Sequence, residues 1–306
     1  MKKIFSIGVS LACLYFAFQQ VNLLEVFTAL SNTNLSYIIS ALIVTAITFF
    51  LRALRWKTLL KNPRYLTLQH YSSSTHIGYF LNNILPFRAG DIFRAKLLSN
   101  HDKDIKLSYL IGSLVAEKII DLWVIGLFTI ILILLGYTNL FGFQFILTVI
   151  AISFVSSLII FGRQSLSNKL LISFPSLTNF VAGYKLVSEN RIRLLSWSML
   201  LWISFVAYVI FSLKAIGVNL TLEQSLGLTI ISSIVTSLPI APAAIGTYHL
   251  AVIYCLHNLY GFNLELAQTG AIVMHSIFLL YSIVVGYIYL LSENLNIGLI
   301  VNDDKN

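Results

Sequence analysis

The sequence predicts an all-α polytopic membrane protein with about six full spans and two broken, re-entrant helical hairpins. Hydrophobic residues make up 58% of the chain and charged residues only 10%, whereas soluble domains carry about 25% charged residues. The mean hydropathy is +0.85. Spans of about 20 residues and their loops account for the length. We therefore expect residues 1–306 to form a single integral membrane domain, with no stretch left for a water-soluble catalytic domain.

The chain begins with Lys2, Lys3 and an apolar run, a pattern that also starts a secretory signal peptide. No A-x-A cleavage site precedes Gln19, so residues 1–20 are interpreted as a first transmembrane helix. The remaining full spans are predicted at 35–51, 107–135, 143–161, 194–213 and 266–291. The segment 163–190 mixes apolar residues with charges, which indicates a helix lying on the membrane surface.

Clusters of lysine and arginine fall on one side of this topology. They comprise Arg52, Arg55, Lys57, Lys61 and Arg64 after the second span, and Arg163, Lys169, Lys185, Arg191 and Arg193 around the surface helix. The positive-inside rule makes this side cytoplasmic. It predicts a multi-pass protein of the cytoplasmic (inner) membrane with a cytoplasmic N-terminus. Because topology explains the net charge of +8, we expect no nucleic acid partner.

The stretch 71–96 is polar although hydrophobic spans surround it. Its polar residues include His76, Asn82, Asn83, Arg88, Asp91 and Arg94. A polar group left unpaired in hydrocarbon is costly. The backbone here is therefore expected to enter the membrane while it lines a cavity or packs against protein, which is where transporters place their substrate sites.

A second stretch, 222–260, is apolar but interrupted by two prolines and a glycine, which favour a turn between two half-length helices. Both stretches contain Pro-x-x-x-Gly followed by alanine five residues after the glycine. In the predicted topology, the first hairpin would enter the membrane from the cytoplasm and the second from outside. This arrangement predicts an inverted repeat with halves 35–135 and 194–291. Coincidence is the alternative, because proline and glycine are common in membrane helices. The predicted hinge residues are Pro86, Gly90, Pro239, Pro242 and Gly246.

Glu117 and Asp121 fall at hydrocarbon depth in the span 107–135, about 15 Å and 21 Å along the helix. Their i,i+4 spacing puts both carboxylates on one face, with Lys118 rotated about 100° away. Two interpretations are open. The carboxylates either pair with Lys118 or with arginines of the hairpin and fix it in place, or they line a cavity and accept a cationic headgroup or protons.

Arg88 and Arg94 are candidates for binding a lipid phosphate, since guanidinium suits bidentate phosphate contacts. The alternative is that they are ordinary cytoplasmic charges. His249 and His275 are also candidate site residues, although a lone intramembrane histidine is more often a packing residue. The two cysteines lie in apolar runs, and no metal-ligand, nucleotide-binding or nucleophilic motif is present. We therefore expect no metal, no cofactor and no enzymatic activity.

Three motifs carry a family resemblance. They read Asn82-Asn83-Ile-Leu-Pro86-Phe-Arg88-Ala-Gly90-Asp91-Ile-Phe-Arg94, Ala116-Glu117-Lys118-Ile-Ile-Asp121, and Ser237-Leu-Pro239 with Pro242-Ala-Ala-Ile-Gly246. Together they resemble the lysylphosphatidylglycerol synthase transmembrane (flippase-like) family. That family includes the membrane half of the multiple peptide resistance factor and the membrane part of an archaeal dolichol-linked glycosyltransferase. The resemblance covers nearly the whole chain and implies a lipid-translocating module.

The chain departs from the family pattern at a few positions. Ala243 and Ala244 stand where members often have two glycines, and Asp91 stands where they tend to have glutamate. His249 also stands where glutamate is usual, so a charge that bears on headgroup specificity is lost.

These observations predict a lipid flippase-like transporter that moves a phospholipid or polyisoprenyl-linked lipid between leaflets. The expected partners are membrane lipids, either anionic or aminoacylated phospholipid or a polyisoprenyl-linked lipid, and possibly a separate lipid-modifying enzyme. The alternatives are a non-transporting membrane partner that positions such an enzyme, and an intramembrane enzyme acting on a lipid-linked sugar. The predicted substrate-binding residues are Asn82, Asn83, Arg88, Asp91, Arg94, Glu117, Asp121, His249 and His275.

Overall fold

The computed structural model describes residues 2–18, 24, 28, 31–60, 65–134, 136, 148–155 and 191–295, and within these residues it is helical without strands. This confirms the predicted all-α class. The helices are α1 (Lys2–Phe18), α2 (Leu35–Leu59), α3 (Leu68–Ile84), α4 (Ala89–His101), α5 (Leu107–Leu134), α6 (Arg191–Lys214), α7 (Leu222–Ser237), α8 (Thr247–Ile253) and α9 (Leu264–Ser292). Residues 148–155 are also helical.

Helices α2, α6 and α9 are long and apolar enough to cross a membrane, with 25, 24 and 29 residues. At 1.5 Å per residue even the shortest of them extends about 36 Å, more than the hydrocarbon core requires. Helix α5 is equally long, with 28 residues, but Glu117, Lys118 and Asp121 interrupt its apolar sequence. These bounds agree closely with the predicted spans 107–135, 194–213 and 266–291.

Helix α2 extends beyond the predicted second span, 35–51. Helix α2 continues to Leu59 rather than ending at residue 51, and Arg55 is only 1% exposed. Arg55 therefore lies in a helix among buried side chains and not in an exposed loop. Arg55 can be buried within this helix because carboxylates of α5 compensate its charge. Lys57 in the last turn is exposed.

The polar stretch forms a tight helical hairpin from α3 and α4. A Cβ built on Gly90 would lie 2.1 Å from the carbonyl oxygen of Gly78, so only glycine permits this approach of the two helices. The chain reverses in a 3₁₀ turn at Pro86–Arg88, where Phe87 and Arg88 have φ of 58° and 55°. The residues from Tyr71 to Leu81 are almost all buried, so the surrounding protein covers the polar side chains of this helix.

The second broken stretch forms a corresponding hairpin. Helix α7 ends at Ser237, a 3₁₀ turn spans Pro242–Ala244, and α8 continues into a π-helical segment, Tyr254–Leu259. The Tyr260 hydroxyl donates to the carbonyl of Gln224 at 2.9 Å and joins the base of the hairpin. Ala243 and Ala244 have φ of 51° and 56°, the same left-handed pair that follows the proline of the first turn.

The hinge residues predicted around this second turn have different surroundings. Pro239 is exposed in the connection that precedes the turn. Gly246, with φ of 87°, packs against α1, and a Cβ there would lie 2.5 Å from the carbonyl oxygen of Ser10.

The helices pack in antiparallel pairs. In α2 and α6, the Thr48 and Ser204 hydroxyls are 2.8 Å apart, and the Asn34 amide donates to Ala215 O at the far end at 2.8 Å. Helix α9 packs on α3, where Asn83 donates to Ser282 at 2.8 Å. Helix α5 packs on α7 through apolar side chains. This arrangement brings the two hairpin turns into contact.

Several sequence predictions fall outside the described residues. These are the surface helix 163–190, Lys61, Arg64, Arg163, Lys169 and Lys185, and the parts of the span 143–161 beyond 148–155.

Candidate functional site

A cavity of about 410 Å³ lies between the two hairpins. Its walls come from both hairpins and from α2, α5, α6 and α9. One part of the lining is polar and includes Asn82, Arg88 and Thr236, whereas Ile125 and Phe278 belong to an apolar part. The cavity therefore has a polar part and an apolar part within one lining.

Asp121 lines this cavity and is held from behind by Arg55. Arg55 Nη1 lies 2.6 Å from Asp121 Oδ1 and also donates to the Ser198 hydroxyl at 3.4 Å. The indole Nε1 of Trp202 donates to the same carboxylate oxygen at 3.2 Å. The carboxylate is therefore neutralised by a buried arginine and fixed in orientation.

Glu117 does not line the cavity. It is 3% exposed, and its Oε2 accepts from Arg94 Nη2 at 2.8 Å while Oε1 lies 3.8 Å from Arg55 Nε. The Arg94 guanidinium stacks over the Trp56 ring at 4.8 Å. This buried pair ties α4 to α5, as the first interpretation of the sequence proposed for the carboxylates.

Arg88 and Asp91 form a third ionic contact at the first hairpin turn. Arg88 Nε lies 3.2 Å from Asp91 Oδ2, and Asn82 Nδ2 donates to Asp91 Oδ1 at 3.2 Å. Arg88 Nη1 also donates to the carbonyl of Thr236 in the second hairpin. One arginine therefore connects the first turn to the end of α7.

Two further cations line the cavity. Arg52 is stacked between two aromatic rings, with its guanidinium carbon 4.7 Å from the Tyr79 centroid and 5.0 Å from the Phe205 centroid. Among the described residues, neither Arg52 nor Lys118 has a carboxylate within 4 Å. We call the whole group the charged cluster: Arg52, Arg55, Arg88, Asp91, Arg94, Glu117, Lys118 and Asp121.

The two candidate histidines lie beside each other at the second hairpin. Their ring centroids are 4.7 Å apart, and Tyr248 stacks on His275 at 5.1 Å. His275 lines the cavity, and its Nε2 lies 2.9 Å from the carbonyl oxygen of Ala243. His249 accepts from the Gly246 amide and is not part of the lining. In the described part of the chain, no three side chains of the metal-ligating types lie together.

The structure separates the predicted site residues into two sets. Those that line the cavity are Asn82, Asn83, Arg88, Asp121 and His275. Those that lie behind it are Asp91, Arg94, Glu117 and His249. Sequence reasoning missed Arg52 and Lys118 as lining residues and Arg55 as the partner of Asp121. The spacing of Arg52 and Arg55 at i,i+3 was an available signal, because it places two cations on one helix face.

The fold and the site define a polytopic helical membrane protein with a charged cavity inside its helical bundle. A sequence model of the lysylphosphatidylglycerol synthase TM region matches residues 3–286, and the chain belongs to that family. It is also 28% identical over 195 residues to UPF0104 membrane protein MJ1078 of Methanocaldococcus jannaschii, a match that covers 58% of this chain and 79% of that protein. The resemblance found in the motifs is thereby confirmed, and membership links this membrane protein to lipid metabolism.

Proposed function

We propose that the protein is a flippase-like lipid carrier that moves a phospholipid or polyisoprenyl-linked lipid between the leaflets of the cytoplasmic membrane, without transforming it chemically. The observation that carries the proposal is the cavity between two meeting hairpin turns, with ionic and apolar walls. In the polar part, the headgroup of a bound lipid would exchange its contacts with water for contacts with fixed side chains. The acyl chains of the lipid would contact the apolar part.

The paired helices support an alternating-access mechanism. Helices α2 and α6 precede the two hairpins and run antiparallel, while α5 and α9 follow them. Both turns have a proline followed by two residues with positive φ. We therefore infer an inverted repeat with halves 35–135 and 194–291. In transporters, such repeats expose one central site alternately to the two sides of the membrane.

The basic side chains support a cytoplasmic N-terminus. Lys57 at the end of α2 and Arg193 at the start of α6 lie at the same end of this antiparallel pair. By the positive-inside rule this end faces the cytoplasm. Lys214 lies at the other end, where the acidic Glu223 begins α7.

Reconstitution of the full chain into liposomes tests the proposal. A fluorescent phospholipid in the inner leaflet becomes accessible to a membrane-impermeant quencher only after it has crossed the bilayer. We expect the wild-type protein to accelerate this exposure over protein-free liposomes. Arg88→Ala should abolish the acceleration, because the variant loses the contact that connects the first hairpin to α7 of the second.

Arg193→Ala is the matched control, since it removes an exposed arginine far from the cavity and should transport normally. Equal lipid movement with and without wild-type protein would contradict the carrier function. It would favour the alternative in which the protein holds a separate lipid-modifying enzyme at the membrane. A chemically altered lipid in mass spectra would instead indicate an intramembrane enzyme.

A further inference from the structure

The balance of charges around the cavity limits which headgroup it can hold. The charged cluster contains five cations, Arg52, Arg55, Arg88, Arg94 and Lys118, and three carboxylates, Asp91, Glu117 and Asp121. These eight described residues thus carry two more positive charges than negative charges. Such an excess at low dielectric is unfavourable unless an anion compensates it.

Each carboxylate of the cluster already has an arginine partner. Asp121 is paired with Arg55 at 2.6 Å, Glu117 with Arg94 at 2.8 Å, and Asp91 with Arg88 at 3.2 Å. None of the three is left to compensate a cationic ligand. An aminoacylated headgroup would need one of these pairs to break, and the arginine left behind would be buried without a partner.

The excess charge resides on two side chains that face the cavity. Arg52 and Lys118 both line it and have no carboxylate within 4 Å in the described ranges. Arg52 Nε is buried without a hydrogen-bond partner among the described residues, and two rings hold the guanidinium plane. A buried N–H without an acceptor is rare in proteins, so Arg52 Nε is available to donate to an anion bound in the cavity.

We infer that the cavity selects a lipid with a net anionic phosphate headgroup, bound by Arg52 and Lys118, and rejects aminoacylated lipids that carry a net positive charge. This inference rests on the proposed function, from which it takes that the ligand is a membrane lipid. The apolar walls formed by Leu122, Ile125 and Phe278 favour a lipid over free phosphate. Asn82 and Thr236 lie on the same lining, and these short polar groups fit a phosphate and its glycerol or isoprenyl ester.

Equilibrium binding to the detergent-solubilised full chain tests this inference without requiring transport. The probes are dioctanoyl-phosphatidylglycerol, dioctanoyl-phosphatidylcholine, dioctanoyl-lysylphosphatidylglycerol and sn-glycerol 3-phosphate, measured by isothermal titration calorimetry. We expect phosphatidylglycerol to bind at least about tenfold more tightly than the zwitterionic and cationic lipids, because a charge-assisted contact is worth about that factor. Glycerol phosphate should bind more weakly still, since it lacks the chains.

Arg52→Gln and Lys118→Gln should each weaken phosphatidylglycerol binding about tenfold and reduce the preference over phosphatidylcholine. Lys57→Gln is the matched control, because it removes one positive charge from an exposed position on the helix that carries Arg52, and its binding should equal that of wild type. Lys118→Arg preserves the charge and should preserve the preference even where the absolute affinity changes.

Equal affinity for the three lipids, or tighter binding of the lysylated lipid, would overturn the inference even if liposomes show lipid movement. Selective binding of phosphatidylglycerol without any movement would support the inference and contradict the carrier function instead. Glycerol phosphate binding as tightly as the lipid would overturn the assignment of a membrane lipid as the ligand.

Discussion

Arg55 Nη1 lies 2.6 Å from Asp121 Oδ1, and this ion pair joins the helix before the first hairpin to the helix after it. Arg55 is 1% exposed, so water does not solvate its charge. The carboxylates of Asp121 and of Glu117, at 3.8 Å, compensate the charge instead. Among the described residues, Asp121 is the only carboxylate that lines the cavity, and Arg55 neutralises it. The pair therefore holds the two helices around the site in place. It also removes the negative charge of the carboxylate from the cavity wall.

Asp121→Asn should make an anionic lipid a stronger stabiliser of the fold. The substitution leaves Arg55 buried with a weaker partner, which lowers the melting temperature. An anion in the cavity then compensates a larger positive excess. We expect dioctanoyl-phosphatidylglycerol to raise the melting temperature of this variant by more than that of wild type, as mass action predicts for tighter binding.

Differential scanning fluorimetry in detergent measures both shifts. Phosphatidylcholine serves as the lipid control, because a general effect of added lipid would appear with it as well. Equal shifts for wild type and variant would show that Asp121 does not set the charge of the cavity.

Removing one partner of the buried pair between Arg94 and Glu117 should destabilise the fold strongly. Arg94→Met leaves Glu117, which is 3% exposed, with only the longer contact to Arg55. We expect a loss of about 3–5 kcal/mol in the free energy of unfolding. The double substitution Arg94→Met with Glu117→Gln should lose less than the sum of the two single changes.

Titration of the detergent-solubilised protein with sodium dodecyl sulfate measures these unfolding free energies. Arg193→Met removes an exposed arginine and should change the free energy by less than about 0.5 kcal/mol. Additive losses in the double-mutant cycle would contradict a direct interaction between the two side chains.

The close approach within the first hairpin should make Gly90→Ala destabilising. Its new Cβ would lie 2.1 Å from Gly78 O and 2.7 Å from Asn82 Oδ1, so the two helices would have to separate. A loss of about 1–3 kcal/mol is expected for such overpacking, again by detergent titration. Gly8→Ala is the control: a Cβ there meets nothing within 4 Å, and alanine favours a helix. Equal stability of the two variants would argue against this packing.

Glycine at the second hairpin turn should stabilise the protein. Ala243 and Ala244 have φ of 51° and 56°, and a non-glycine residue in this region costs about 1–2 kcal/mol. Part of that gain is offset because glycine has more freedom in the unfolded chain. We expect Ala244→Gly to raise the melting temperature and Ala244→Val to lower it, since branching at Cβ crowds this conformation. A higher melting temperature for the valine variant would contradict this conformation of the turn.

The sequence predicted the helical class, the long helices and both hairpins, because these follow from hydropathy and from proline and glycine. The bounds of α5, Leu107–Leu134, differ from the predicted 107–135 by a single residue. The sequence alone did not show that the backbone at Ala243 and Ala244 has positive φ, a conformation that glycine adopts without strain.

Sequence reasoning failed where a charge was compensated at long range in the chain. Arg55 and Asp121 are 66 residues apart, and nothing local distinguishes a paired arginine from one that ends a span at the membrane surface. The same limit applies to Lys118, which was expected only as a possible partner of the carboxylates, whereas it lines the cavity. The position of the cavity depends on how the hairpins meet, and hydropathy does not contain that information.

Trp202 is 2% exposed, lines the cavity and donates its indole N–H to Asp121. The emission of an indole shifts with the electric field and hydration around it, so the molecule contains its own optical sensor in the cavity wall. The chain has four tryptophans, and a Trp202→Phe variant would supply the background spectrum of the others. If the proposed lipid binds in this cavity, its arrival and departure should change this emission in real time, with an unlabelled protein and unlabelled lipid.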